Sequence, residues 1–228
     1  MTRKIPDRRF EELADCAARV FIDQGYRRTQ MADVAEALGV AKGTLYLYVE
    51  SKEALFDLAL RCADTHERVR QPAALPIATP KPGATAAYVR DRLAANQVPA
   101  LAAALAKKRV TDPAEELAEV VRELYAVLAR NRRSIKLLDT SARDLPELAA
   151  LWFEAGRDGL MATLAQYLER RIRSGKLRAV PDVTAAARLI IETTVFWAVH
   201  RHWDPHPQKV DDKVALDTVV RFIVGALA

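Results

Sequence analysis

Residues 29–55 read TQMADVAEALGVAKGTLYLYVESKEAL, and three of them, Ala35, Gly39 and Leu45, constrain the chain most. Met31, Val34, Ala35 and Leu38 fall at helical steps and make one short apolar face. Gly39 stops that helix, because a residue without a β-carbon tolerates positive φ. A second short helix is expected from about Ala41 to Val49, with Leu45 facing inward. Ala35 is small enough to let the second helix cross the first. Thr29 suits the N-cap of the first helix. Two short helices joined by a tight glycine turn are a helix-turn-helix, whose second helix enters the DNA major groove.

The residues left on the outer side have the chemistry for that task. Lys42 brings charge to a phosphate, and Gly43 lets the helix start approach the backbone closely. Thr44 can bond a phosphate or touch a thymine methyl. Tyr46 and Tyr48 offer hydroxyls and flat faces at the groove edge. Ser51 and Lys52 place a helix start and an ammonium beside flanking phosphates. Arg28, Thr29 and Gln30 lead into the first of the two helices and complete the expected DNA-binding set. Bulk charge adds nothing to this reading. The net charge is only +5, and residues 1–52 hold nine Lys/Arg against eight Asp/Glu. Placement around the motif is what counts.

The remainder reads as helix throughout, with no convincing strand and no internal repeat. Residues 8–24 carry an amphipathic pattern (Phe10, Leu13, Ala14, Ala17, Val20, Phe21) that Gly25 stops. Ser51 caps a fourth helix expected to run through 53–70. Residues 71–83, QPAALPIATPKPG, hold four prolines and mark a connector. The expected division is a DNA-binding domain over 1–52 and a larger helical domain over 53–228. Within the latter, residues 84–108 should bend near Pro99. Asp112-Pro113 opens a helix to about Arg130, and a short helix follows near 132–140. A long helix spans about 146–174 and stops at Gly175. Asp182 caps another to about His202, and 210–227 form the last.

The motif in full resembles the DNA-binding segment of the tetracycline-repressor (TetR) family. The resemblance rests on Gly25-Tyr26, Val34-Ala35, Gly39-Val40, Lys42-Gly43-Thr44-Leu45-Tyr46, Tyr48 and Ser51-Lys52-Glu53-x-Leu55, and covers about residues 8–60. Farther on, only size, helix order and Leu145-Pro146-Glu147-Leu148 resemble the family. Ala41 stands where the family usually has a capping serine, a change that typically costs ~1 kcal/mol. Gln30 replaces a common threonine and Val49 a common phenylalanine.

The resemblance implies an all-α homodimer that binds double-stranded DNA at a palindromic operator, most simply as a repressor released by a small-molecule effector. By the same analogy the dimer interface comes from helices about 146–174 and 182–203. Ala155, Gly156 and Gly159 in the first of these suit a closely approaching partner helix, a ligand or a local packing need. An effector cavity would draw on Tyr88, Asn96, Tyr125, Trp152, Phe153, Phe196, Trp197 and His200. An adaptor answering to a protein partner is the alternative. No cofactor is implied. His200, His202 and His206 are spaced poorly for a metal, and none is expected. The chain carries no P-loop, nucleophile elbow or framed carboxylate pair, so it reads as no enzyme. Two cysteines without a CxxC pair, no signal segment and no ~20-residue apolar run point to the cytoplasm and away from membranes.

Overall fold

The computed structural model describes residues 7–64, 72 and 74–228, and the chain is all-α among them. The expected continuation of the fourth helix to residue 70, and part of the proline-rich connector, lie outside the described residues. The N-terminal helices are α1 (Asp7–Gln24), α2 (Met31–Leu38), α3 (Lys42–Leu45) and α4 (Lys52–Cys62). There follow α5 (Ala84–Ala95), α6 (Pro99–Ala106), α7 (Pro113–Arg130) and α8 (Arg132–Ser141). The last are α9 (Pro146–Ala149), α10 (Gly159–Arg173), α11 (Val183–Ala198) and α12 (Asp212–Leu227).

Local chemistry accounts for most boundaries. Gly25, Gly39 and Gly175 adopt φ of 78°, 71° and 65°, the left-handed conformation that ends a helix. Side-chain oxygens of Ser51, Asp112 and Asp182 accept from the backbone amides of Ala54, Glu115 and Ala185, so α4, α7 and α11 begin on true caps. The long helix expected over 146–174 is divided. Helix α9 passes into a π-helix at Ala150–Asp158 before α10 resumes. The wider i→i+5 bonding shifts the faces of Trp152 and Phe153 from where 3.6-residue spacing puts them.

The chain forms two compact units, Met1–Arg92 with Arg133–Trp152, and Leu93–Arg132 with Phe153–Ala228. The core of the first joins Phe10, Leu13 and Phe21 of α1 to Val34 of α2, Leu45 of α3 and Leu55 of α4, each at most 1% exposed. Helix α8 is tied to this core by polar contacts. The Asp64 carboxylate accepts the amides of Arg133 and Ser134, both at 2.9 Å, which neutralises the amide-rich start of α8. Arg133 pairs with Asp15 at 2.7 Å. Gly25 has no substitute here, because its φ is positive and a β-carbon would lie 3.0 Å from the Thr140 carbonyl.

In the second unit α7, α10, α11 and α12 enclose Leu117, Val121, Leu164, Tyr167, Leu168, Ala187 and Val219. Arg171 and Glu116 form a buried pair at 2.7 Å, and Arg171 also donates to the Ala104 carbonyl. A second lock sits at the start of α12, where Asp212 receives Arg201 and Arg132. Among the described residues no helix is long and apolar enough to cross a membrane.

Candidate DNA-reading surface

The candidate surface is built from α2, α3 and the loops that flank them. Helix α2 follows α1 after a loop that three contacts hold. The Thr29 hydroxyl donates back to the Gly25 carbonyl at 2.7 Å. The Lys52 ammonium donates to the carbonyls of Tyr26 and Thr29 at 3.0 and 3.1 Å, and lies 4.4 Å from the centre of the Tyr26 ring. Tyr26 itself packs edge-on against Phe56 and donates its hydroxyl to Glu53 at 3.0 Å. Burial and this neighbouring carboxylate push the Tyr26 phenol well above its ordinary pKa, so it remains a donor. Glu53 is held below the usual carboxylate range, first by a backbone hydrogen bond and against desolvation, with help from the hydroxyls of Tyr26 and Ser51 and the Lys52 charge.

These contacts revise three expectations. The N-cap of α2 is Gln30 rather than Thr29, and the Asp33 carboxylate reaches back to the Gln30 amide at 2.7 Å. Thr29 is only 1% exposed, because its hydroxyl is spent inside the loop. Lys52 turns its ammonium inward to two carbonyls, where the sequence reading aims it at a phosphate.

Helix α3 is shorter than expected. It spans Lys42–Leu45 and continues as turns through Tyr48. Ala41 occupies its N-cap with φ −68° and ψ 145° and supplies no side-chain acceptor. Inward, Leu45 is fully buried, as is Val49. The ring of Tyr48 is also covered, leaving 6% of the residue exposed. Its hydroxyl is not among the buried polar atoms left without a partner. Outward lie Ala41, Lys42, Gly43, Tyr46 and Leu47, with Thr44 half-exposed. Leu47, at 60% exposure, is a surface residue that the sequence reading missed. Its position was legible from the inward Leu45, since two helical steps of about 100° each carry Leu47 to the opposite side. An exposed leucine beside Thr44 provides apolar contact of the kind a thymine methyl takes.

Arg28 and Gln30 are exposed, and the Arg28 guanidinium donates to the Gln24 carbonyl at 2.8 Å. Ser51 caps α4, and its oxygen also receives the Thr79 hydroxyl at 2.9 Å.

The eight residues expected to line an effector cavity are divided between the two units. Tyr88 and Trp152 belong to the first unit, the others to the second. Tyr88 stacks under the Arg61 guanidinium, and the Trp152 indole donates to Asp139 at 2.7 Å. Asn96 accepts from Asn131 at 2.9 Å, and the Tyr125 hydroxyl donates to the Trp197 carbonyl at 3.2 Å. Phe196 packs edge-on against Trp197 and is 37% exposed, so it looks outward. Phe153 and His200 are half-buried. An open hollow of about 490 Å³ lies elsewhere, between Glu12, Asp15, Arg19, Ala37, Leu38 and Arg133. His202 lies 3.5 Å from Asp212, and no three potential metal ligands converge among the described residues.

Comparison with known proteins matches both ends of the chain. The family model of bacterial regulatory proteins, tetR family, matches residues 13–59. That of the AefR-like transcriptional repressor C-terminal domain matches residues 115–226. The HTH-type transcriptional repressor KstR2 of Rhodococcus jostii is 44% identical over 50 residues, which is 22% of this chain and 24% of that one. The match therefore spans about a quarter of the curated relative's length. In fold, the ketosteroid transcriptional regulator KstR2 of Mycobacterium tuberculosis superposes with a TM-score of 0.60 at 19% identity, covering 99% of this chain and 97% of that one. AibR in complex with isovaleryl coenzyme A and operator DNA gives 0.52 at 18% identity, covering 94% and 97%.

Proposed function

The chain belongs to the TetR family of bacterial transcriptional regulators, and from that premise we propose that it is a repressor that binds a palindromic operator as a homodimer and leaves it when a small effector binds. The observation that carries the reading is the two-sided character of the segment 41–48. Leu45 and the Tyr48 ring are closed inside, while Lys42, Gly43, Tyr46 and Leu47 are open outside. A helix start offering an ammonium, a glycine and exposed apolar groups fits a major groove. Arg28, Gln30, Thr44, the Tyr48 hydroxyl and Ser51 flank it.

The exposed large hydrophobics support the dimer. Among the described residues, besides Tyr46 and Leu47, they are Leu189 and Phe196 on α11 and Val214 and Phe222 on α12, at 68, 37, 55 and 78% exposure. Leu189 and Phe196 are seven residues apart and share a helix face. Apolar area of this kind is costly to leave in water, and a second copy covers it. The interface proposed here keeps the expected pair, 146–174 and 182–203, and adds α12. Gly159, whose surroundings are open to 4 Å, leaves room for close approach beside it. The effector acts by binding better to the conformation that cannot span both half-sites.

Selection of bound duplexes from a random pool tests this reading, repeated with isovaleryl coenzyme A because AibR is crystallised with it. An enriched inverted repeat is expected. A pool that shows no enrichment overturns the DNA-binding reading, and a sedimentation mass of one chain at micromolar concentration overturns the dimer.

A further inference from the structure

Within the proline-rich connector, Ile77 and Thr79 pair with the joint between α3 and α4. The Ile77 amide donates to the Tyr48 carbonyl at 2.7 Å, and the Glu50 amide donates to the Ile77 carbonyl at 3.0 Å. Together these make a parallel bridge between Val49 and Ile77. Two residues on, the Thr79 amide donates to the Glu50 carboxylate at 2.9 Å and the Thr79 hydroxyl to Ser51 at 2.9 Å. Four hydrogen bonds thus fasten Tyr48, Glu50 and Ser51, in the stretch that leads from the reading helix to the cap of α4.

We propose that the segment Ile77–Thr79 is a strap that positions the DNA-reading helix, with Ile77 acting through Tyr48 and Thr79 acting through Glu50 and Ser51. The proposal rests on the DNA-binding reading above. Its physical basis is what α3 lacks. A four-residue helix is too short to be stable alone, and Ala41 gives it no side-chain cap. Leu45 is its one buried residue, and the other buried groups, Val49 and the Tyr48 ring, lie past its end in the joint itself. The strap holds that joint by satisfying the Tyr48 carbonyl and the Glu50 amide, which otherwise lie in the irregular joint where backbone groups have no helical partners. With Leu45 and the joint fixed, the Tyr48 hydroxyl, Tyr46 and Leu47 hold one orientation before DNA arrives. Misplacement of such groups penalises the right sequence more than the wrong one, because specific contacts need alignment and phosphate attraction does not.

The test uses the full-length protein and the duplex enriched from the random pool, with a scrambled duplex beside it. Wild type must first bind the enriched duplex more tightly; if it binds neither, the DNA-binding reading fails and not the strap. Thr79→Val removes the hydroxyl and keeps the shape. It is expected to lower affinity for the enriched duplex about five-fold, the scale of one hydrogen bond, while affinity for the scrambled duplex stays within two-fold. Thr79→Ser is expected to restore specific binding. Ile77→Pro removes the amide given to Tyr48 and is expected to lower the specific-to-scrambled ratio by about ten-fold or more. Titrations are scored per folded, DNA-competent protein, so that lost fold appears as lost stoichiometry and not as lost specificity. If Ile77→Pro does not fold, the Thr79 pair decides. A ratio that stays at the wild-type value in Thr79→Val, or that Thr79→Ser fails to restore, overturns the proposal.

Discussion

Helix α2 starts with Asp33 reaching back to the Gln30 amide and ends on a left-handed Gly39, whereas α3 starts at Ala41 with no side-chain acceptor and dissolves into turns after Leu45. Three residues of α2 are buried, Met31, Val34 and Ala35, against Leu45 alone in α3. Helix α2 is therefore secured by its ends and three buried residues, and α3, the helix proposed to read DNA, by one buried residue and the joint that follows it. A reading helix must leave its outer side unspent, so the stabilising contacts come from behind and from the joint after it. Helix propensity is a poor guide in such a segment, since tertiary contacts outweigh it.

Leu45→Ala is the substitution that presses hardest on this contrast. It removes the buried anchor of α3 and is expected to cost about 2–5 kcal/mol of stability in denaturant unfolding, with duplex binding lost. Met31→Ala, in the better-secured α2, should spare more of the binding. Equal losses of affinity per folded molecule would remove the distinction between the two helices.

The two lysines sharpen it. Lys52→Met leaves the carbonyls of Tyr26 and Thr29 without their ammonium and is expected to cost about 1–3 kcal/mol. Lys42→Met should leave stability within about 0.5 kcal/mol but reduce the salt slope of duplex binding by about one. Thermal unfolding and binding titrations over a range of salt separate the two outcomes; a reversed pattern would exchange their roles.

Ala41→Ser gives α3 the side-chain cap it lacks. A gain of about 1 kcal/mol is expected in unfolding experiments. No gain would mean that the strap and Leu45 already hold the helix as firmly as a cap can.

The smallest effect concerns pH. Glu53 has its folded-state pKa depressed, chiefly by its backbone hydrogen bond with help from Tyr26, Ser51 and Lys52. Its contribution is present above the ordinary carboxylate pKa and fades as pH falls through the depressed folded value. Glu53→Gln should therefore flatten the acid limb of the stability profile and leave the neutral plateau nearly as it was. An unchanged acid limb would place the linkage elsewhere, for example at Asp212, whose carboxyl is also held low by Arg132 and Arg201 against desolvation.

Much of the fold was legible because its signals are local. Glycine at positive φ, carboxylate or hydroxyl caps and helical apolar spacing gave the ends of α1, α2, α7 and α11 and the inward Leu45. What escaped notice depends on contacts distant in sequence. Nothing in QPAALPIATPKPG says that Ile77 pairs with Tyr48, because a backbone-to-backbone bridge has no side-chain signature. The motif shows Lys52 beside the reading helix but not which way its flexible stem turns, and the carbonyls of Tyr26 and Thr29 decide that. Thr29 was misplaced by one position because its hydroxyl prefers the Gly25 carbonyl over the start of α2. The aromatic residues of the second unit carried no pattern that distinguishes a cavity wall from a core or an outer face.

Backbone hydrogen exchange with and without the enriched duplex tests the central claim most directly. Free protein should exchange the amides of 42–48 faster than those of Val34 and Ala35, and duplex should slow the 42–48 set selectively. Amides of 42–48 that exchange at the same rate in bound and free protein, with protection arising elsewhere, would contradict the assignment of α3 as the helix that meets DNA.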